Sequence, residues 1–389
     1  MCVIEKVYQK ANRRLGWSCL LAFIACLTGK FAAQTQTVPP ALAELKLQLE
    51  RGEFEPASRN AGSILAAPQA DLDTLLQAGQ LLSQYRRYDL AREAFMRARE
   101  IDPGSFAAAF NLGYIAFQQG KWQEAEGTLK RSLQLSSGSP QVRILLGCTF
   151  IREGKKAEGL RELHRAESTA ADNAKVLEFL ATQYNALGMH DEAARVLRQL
   201  VQADTSTPEV YLLLVQTYRD AGEYTKALDS AQESARRFPD SAQMNFLLGT
   251  QLQGLGQFEQ SRPYFEKALS LVPNFGEAYA ALGELAARQA DYQQAVEFYK
   301  KAVSMSPQLA SAIVELANAH RKLGDLSSAQ QVLTTASEKE PENARYHLLL
   351  SQVYLQEKQY DRSRQEKQAF LELTRKAASS GVSSGSSHN

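Results

Sequence analysis

Apolar residues along most of this chain recur at helical spacing. In residues 208–241, Tyr211, Leu214, Val215 and Tyr218 form a stripe at intervals of three, four and seven, which marks one buried helix face. Gly222 predicts the end of that helix, because glycine takes the left-handed cap conformation at little cost. Tyr224 follows two residues later, and Ala227 and Ala231 line a second helix that Phe238-Pro239 stops. The segment predicts two helices joined by a tight turn.

The same pattern returns every 34 residues. Gly52, Gly120, Gly154, Gly188, Gly222, Gly256 and Gly324 lie at multiples of that interval, and so do Leu112, Leu146, Leu180 and Leu214. Pro239, Pro273, Pro307 and Pro341 keep the same register. One frame starts at Val38, and ten units of 34 fill residues 38–377 without a gap. A small residue recurs at the eighth position (Gly79, Gly113, Gly147, Gly249, Gly283), where it lets the paired helices approach closely. An aromatic recurs near the turn, as in Phe54, Tyr88, Trp122, Tyr224, Phe258, Tyr292 and Tyr360, and is expected to wedge between successive units. Asp89, Glu124, Asp191 and Asp325 sit in the first turn of second helices, where an acid complements the helix dipole.

These residues resemble the tetratricopeptide repeat family, a 34-residue helix-turn-helix with small residues at positions 8, 20 and 27, glycine at 15 and proline at 32. Residues 276–309 carry the resemblance through Tyr279, Leu282, Gly283, Ala295, Tyr299, Ala302 and Pro307. Ser137 and Ala171 depart from it where proline is usual, and Pro263 falls early in a second helix. The outer units are more polar, with Glu44 and Gln48 in the first and Lys367 in the last, as the water-facing ends of a solenoid require. The resemblance implies an all-α fold: a right-handed superhelical solenoid of antiparallel helix pairs whose concave wall is built from the first helices.

The first 33 residues read differently. Lys6, Lys10, Arg13 and Arg14 precede an uncharged run from Leu15 to Gly29, and Phe31-Ala32-Ala33 follows, the order of a secretory signal. As a helix that run spans about 22 Å, short of the ~30 Å hydrocarbon core of a membrane. Cleavage is expected after Ala33, which leaves a short linker over 34–37. Two alternatives stay open, an uncleaved signal anchor and a lipoprotein. Phe23-Ile24-Ala25 before Cys26 resembles a bacterial lipoprotein box and makes Cys26 a candidate for lipidation.

Removing residues 1–33 takes away five bases and one acid and turns a formal charge of +1 into −3. Neither value makes a case for nucleic acid, where a basic stripe is expected. The same cut removes Cys2, Cys19 and Cys26, so the mature chain keeps Cys148 alone and can form no internal disulfide. After the tenth unit, residues 378–389 are rich in Ser and Gly and read as a flexible tail.

No catalytic, metal or cofactor motif accompanies the repeats. His164, His190, His320, His347 and His388 include no HExxH pair, and no phosphate-binding glycine loop follows a strand. His320 and His347 occupy core-type positions of adjacent units, where they are expected to pack, within touching reach of each other. The chain is therefore expected to be no enzyme, with no cofactor and no small-molecule substrate, and to meet a membrane only through its signal or a lipid.

What remains as a site is the groove. In the family's geometry, positions 2, 5, 9, 12 and 13 of each unit face the wall. Most of these are polar here, including Gln80, Glu178, Asn185, Gln216, Gln253 and Glu284. Two consecutive units differ, with Phe110, Tyr114 and Phe117 followed by Ile144, Cys148 and Ile151. A helix that is apolar all round must be covered or must present a patch, and aromatic clusters are what interfaces anchor on. These six are the candidate protein-binding residues. Asn318, Arg321, Lys322 and Arg345 partly resemble the charged grooves that capture a peptide carboxylate in chaperone-docking members. The expected function is an exported scaffold that binds a protein or peptide in its groove, in bacterial envelope or secretion assembly. The alternative is the same adaptor tethered to a membrane.

Overall fold

The structure, a computed structural model, describes residues 40–203 and 206–382. The expected signal over 1–33, the linker over 34–37, Cys26 and residues 383–389 of the tail lie outside the described residues.

Every regular element among the described residues is a helix. The first units hold α1 (Pro40–Glu50), α2 (Phe54–Ala66), α3 (Leu72–Gln84), α4 (Tyr88–Ile101), α5 (Phe106–Gln118) and α6 (Trp122–Leu135). Next come α7 (Pro140–Arg152), α8 (Lys156–Thr169), α9 (Ala174–Ala186), α10 (His190–Gln202) and α11 (Pro208–Asp220). The chain continues with α12 (Tyr224–Arg237), α13 (Ala242–Gly254), α14 (Phe258–Leu271), α15 (Gly276–Arg288) and α16 (Tyr292–Met305). It ends with α17 (Ala310–Lys322), α18 (Leu326–Lys339), α19 (Ala344–Gln356) and α20 (Tyr360–Val382). The helices fall two to each 34-residue unit, in the frame read from the sequence.

The turn inside each unit is made by one left-handed residue. Seven glycines, from Gly52 to Gly324, hold it at φ of +71 to +83°; Arg86, Ala290 and Lys358 hold it at +57 to +62° in the other units. A Cβ in that conformation is strained, so three turns carry a cost the other seven avoid. First helices are capped from the preceding unit's last residue: Asp71, Ser105, Ser139, Asn173 and Ser241 each accept a hydrogen bond from a backbone N–H three residues on.

The chain divides into two compact bodies, one ending at Ala221 and the other beginning at Gly222. In the first, Leu65, Leu75, Ala94, Ala98 and Ala108 form a cluster drawn from α2 to α5. In the second, Ile313, Val314, Leu333, Tyr346, Leu350 and Val353 join α17, α18 and α19. Each cluster is shared by neighbouring units only, which is how a solenoid distributes its core. Burying one such large apolar side chain contributes ~1.5–3 kcal/mol. The small eighth residue allows the close approach: a Cβ on Gly79 would lie 2.7 Å from the Phe95 ring, and one on Gly283 would lie 2.8 Å from that of Tyr299.

Two expectations need correction. The turn aromatics do not all wedge between units: Tyr224 and Tyr360 are exposed, while Phe54 and Phe258 carry the guanidinium of Arg87 and Arg288 over their rings, at 5.6 and 4.6 Å. An arginine from the following unit covers these faces, so the ring need not insert. The flexible tail expected from residue 378 also starts too early, since α20 runs on to Val382. Ala377 and Ala378 are good helix formers and carry it past the frame.

Candidate functional site

The wall positions belong to the first helices α1, α3, α5 and onward by twos. In the first body the six apolar candidates are mostly not presented. Phe110, Tyr114, Ile144 and Cys148 are 5%, 6%, 0% and 1% exposed, while Phe117 and Ile151 are half-buried. Phe110 stacks on Phe106 with ring centroids 6.0 Å apart, and Phe117 meets the edge of Trp122 at 5.5 Å. Ile151 fills the space beside Gly159, where an added Cβ would come within 2.5 Å of it. Burial pushes the Tyr114 phenol up, and takes the Cys148 thiol to about 12, so this cysteine is an inert packing group. Position 5 is buried elsewhere too, as Leu42, Leu212, Phe246 and Val314. The two units stand apart through Tyr114 and Cys148 at position 9, where others carry Gln80, Gln216, Glu284 and Asn318.

The two core-type histidines take separate acceptors. His320 Nδ1 is 3.0 Å from Asp325 Oδ2 across the turn of its own unit. His347 Nδ1 is 2.7 Å from Glu366 Oε2, and its Nε2 is 3.0 Å from the Pro341 carbonyl. Each ring is turned to a nearer acceptor in the second helix or the adjoining turn. Among the described residues no group of three or more His, Cys, Asp or Glu side chains is placed to hold a metal, and no helix is long and apolar enough to cross a membrane.

An open wall lies in the second body. A cleft of about 400 Å³ is lined by Tyr292, Glu315, Asn318, Arg321, Lys322 and Gln356, among others. Asn318, Arg321 and Lys322 come from the last turns of α17, Gln356 from the end of α19, and Tyr292 opens α16. Arg345, grouped with them by sequence, does not line the cleft. The Arg321 guanidinium donates to Gln352 Oε1 at 2.9 Å, Asn318 Oδ1 at 3.2 Å and Gln356 Oε1 at 3.3 Å. The Asn318 amide also donates to Glu315 Oε2 at 3.4 Å. Glu315 and Gln356 carried no signal in the sequence beyond their frame positions.

Models of the tetratricopeptide repeat match residues 76–140, 174–199, 212–252, 240–308, 286–353 and 324–372. No curated protein matches the chain. Among solved structures, MamA from Desulfovibrio magneticus RS-1 is similar at 23% identity over 43% of this chain and 95% of that one, with a TM-score of 0.39. Yeast Tom70 is similar at 14% identity over 78% and 76% of the two chains, with a TM-score of 0.42. The Cut9–Hcn1 hetero-tetramer gives 14% identity, 86% and 80% coverage and a TM-score of 0.44. The unbroken 34-residue frame, the helix pairs that realise it and the family-model matches make this an all-α solenoid, and the chain belongs to the tetratricopeptide repeat family.

Proposed function

We propose that the chain is a non-enzymatic scaffold that binds a protein or peptide along its first-helix wall. The observation that supports this most is the cleft beside Asn318 and Arg321, a concave opening of about 400 Å³ with polar groups that converge on it. Protein–protein interaction is also what tetratricopeptide scaffolds typically serve. The six apolar wall residues of the first body belong to the proposal as a second anchor, to be separated from core by the double variant discussed below. A photo-crosslinking residue at Asn318 is expected to trap a partner in cells, and one at Glu297, on a second helix, is not. Trapping from Glu297 alone would move the site off the wall.

The scaffold acts outside the cytoplasm on this reading, in envelope or secretion assembly, because a basic stretch and a short apolar run precede the repeats. N-terminal mass analysis of the protein from cells tests the export step. A start near Gln34 supports the exported form, a lipidated Cys26 supports the tethered adaptor, and an intact chain in the membrane fraction supports a signal anchor.

A further inference from the structure

His347 holds an arrangement that a neutral imidazole does not satisfy. Its Nδ1 is 2.7 Å from Glu366 Oε2 on α20, and its Nε2 is 3.0 Å from the Pro341 carbonyl in the turn before α19. A carbonyl oxygen and an ionised carboxylate only accept, while a neutral imidazole carries one N–H and an imidazolium carries two. Both contacts are hydrogen bonds only when the pair holds one proton beyond those of a neutral ring facing a carboxylate. His320 turns one ring nitrogen to Asp325, and His190 turns one to Asn185, contacts that a neutral ring satisfies.

Other contacts tie α20 to α19 and its turn. The Ser363 hydroxyl donates to the Ser351 carbonyl at 2.7 Å, Lys376 pairs with Glu342 at 3.2 Å, and the Arg362 guanidinium lies over the Tyr354 ring at 5.8 Å. Side chains of these kinds do not ordinarily change charge between pH 5 and 8, where histidine does. Glu366 is the half-buried ionisable group that α20 turns to the ring. In the adjoining turn Glu340 accepts from Asn343 and Glu342 is taken by Lys376, while Glu338, Lys339, Arg345 and Lys367 are exposed.

We propose that His347 and Glu366 form a proton-operated latch on the last helix. At mildly acidic pH the extra proton lets the ring donate to both acceptors and bridge α20 to the turn before α19. As pH rises that proton leaves to solvent, one contact becomes an acceptor facing an acceptor, and α20 opens from α19 more often. The latch thus contributes stability at low pH and loses it on the way up. Opening withdraws Arg362 from Tyr354 and uncovers that face of α19. The device is independent of what the first-helix wall binds.

The test is amide exchange of the full chain at about pH 5.5 and about pH 8, a span that brackets histidine titration, with rates corrected to those of unstructured peptides. Protection across α20 should fall about ten-fold or more over that span, as loss of one hydrogen bond to a charged group implies, while that of α15 stays level. Glu366→Gln should abolish the fall, because its amide can donate to the neutral ring and keep α20 closed at both values. His347→Gln should abolish it too, and His320→Gln should leave it intact. If His347→Gln does not fold, Glu366→Gln decides, since it keeps the shape and hydrogen bonding of the side chain. Protection of α20 that is flat or rises with pH in the native chain would overturn the latch. So would a fall that persists in Glu366→Gln, vanishes in His320→Gln or extends equally to α15.

Discussion

A Cβ placed on Gly249 would lie 2.7 Å from Cε1 of Phe265, the ring that fills the space between α13 and α14. Phe265 is fully buried, and α14 is held close enough that one hydrogen at position 249 is all the contact admits. The same relation joins Gly113 to Leu129 and Gly147 to Leu163, at 2.7 and 2.8 Å.

Gly249→Ala is therefore expected to destabilise the second body. The gain in helix propensity is at most ~1 kcal/mol, while overpacking a filled contact costs ~1–3 kcal/mol. Gly127, in the middle of α6, has nothing within 4 Å of its would-be Cβ. There the propensity gain stands alone, and Gly127→Ala should stabilise by ~0.5–1 kcal/mol. Urea unfolding of the two variants, read by circular dichroism, should move in opposite directions.

Ala290 occupies the left-handed turn position at φ +60° that glycine holds in seven other units. Ala290→Gly relieves a Cβ clash of roughly 1 kcal/mol at a turn whose neighbours need not move. The expected result is a higher melting temperature with no change in helicity. An unchanged or lower one would mean that the glycine's extra freedom in the unfolded chain outweighs the relief.

Glu126 is a pH-sensitive contact in the first body. Hydrogen bonds from Lys130 and then Lys155 draw its carboxyl from 4.5 down to about 2, against a smaller upward push from burial. A depressed carboxyl stabilises the fold above its unfolded pKa and loses that contribution as pH falls through the folded value. The melting temperature of the native chain should exceed that of Glu126→Gln near neutral pH. The difference should shrink between about 4.5 and about 2. Because both lysines are largely exposed, added salt should shrink it as well.

Phe110 and Phe117 decide whether the apolar wall of α5 is a site or core. Phe110 is 5% exposed, so Phe110→Ala is expected to cost ~3–5 kcal/mol as a core truncation does. The double variant with Phe117→Ala should melt lower still, by loss of the Trp122 contact. Affinity for a partner trapped on the wall, measured on the same protein, gives the second coordinate. Lost stability with unchanged affinity would retire these residues as an anchor, and lost affinity at unchanged melting would establish them.

Sequence by itself determined what is local and periodic. Gly222 ends a helix because of its own backbone freedom, Phe238-Pro239 stops the next by steric rules that act over a few residues, and repetition every 34 residues multiplied both signals across ten units. The helix pairs, their turns and the close approach at Gly79 or Gly283 follow from those rules alone. Tertiary structure decided which wall positions stay open. Tyr114 and Cys148 share their frame position with Gln80 and Asn318, yet they are buried, because exposure depends on what neighbouring helices place opposite a side chain. The partners of Arg321 were equally illegible, since Gln352 and Gln356 reach it from the next unit. A charge is neutralised or left free by side-chain geometry across a packing seam, and no local pattern encodes that.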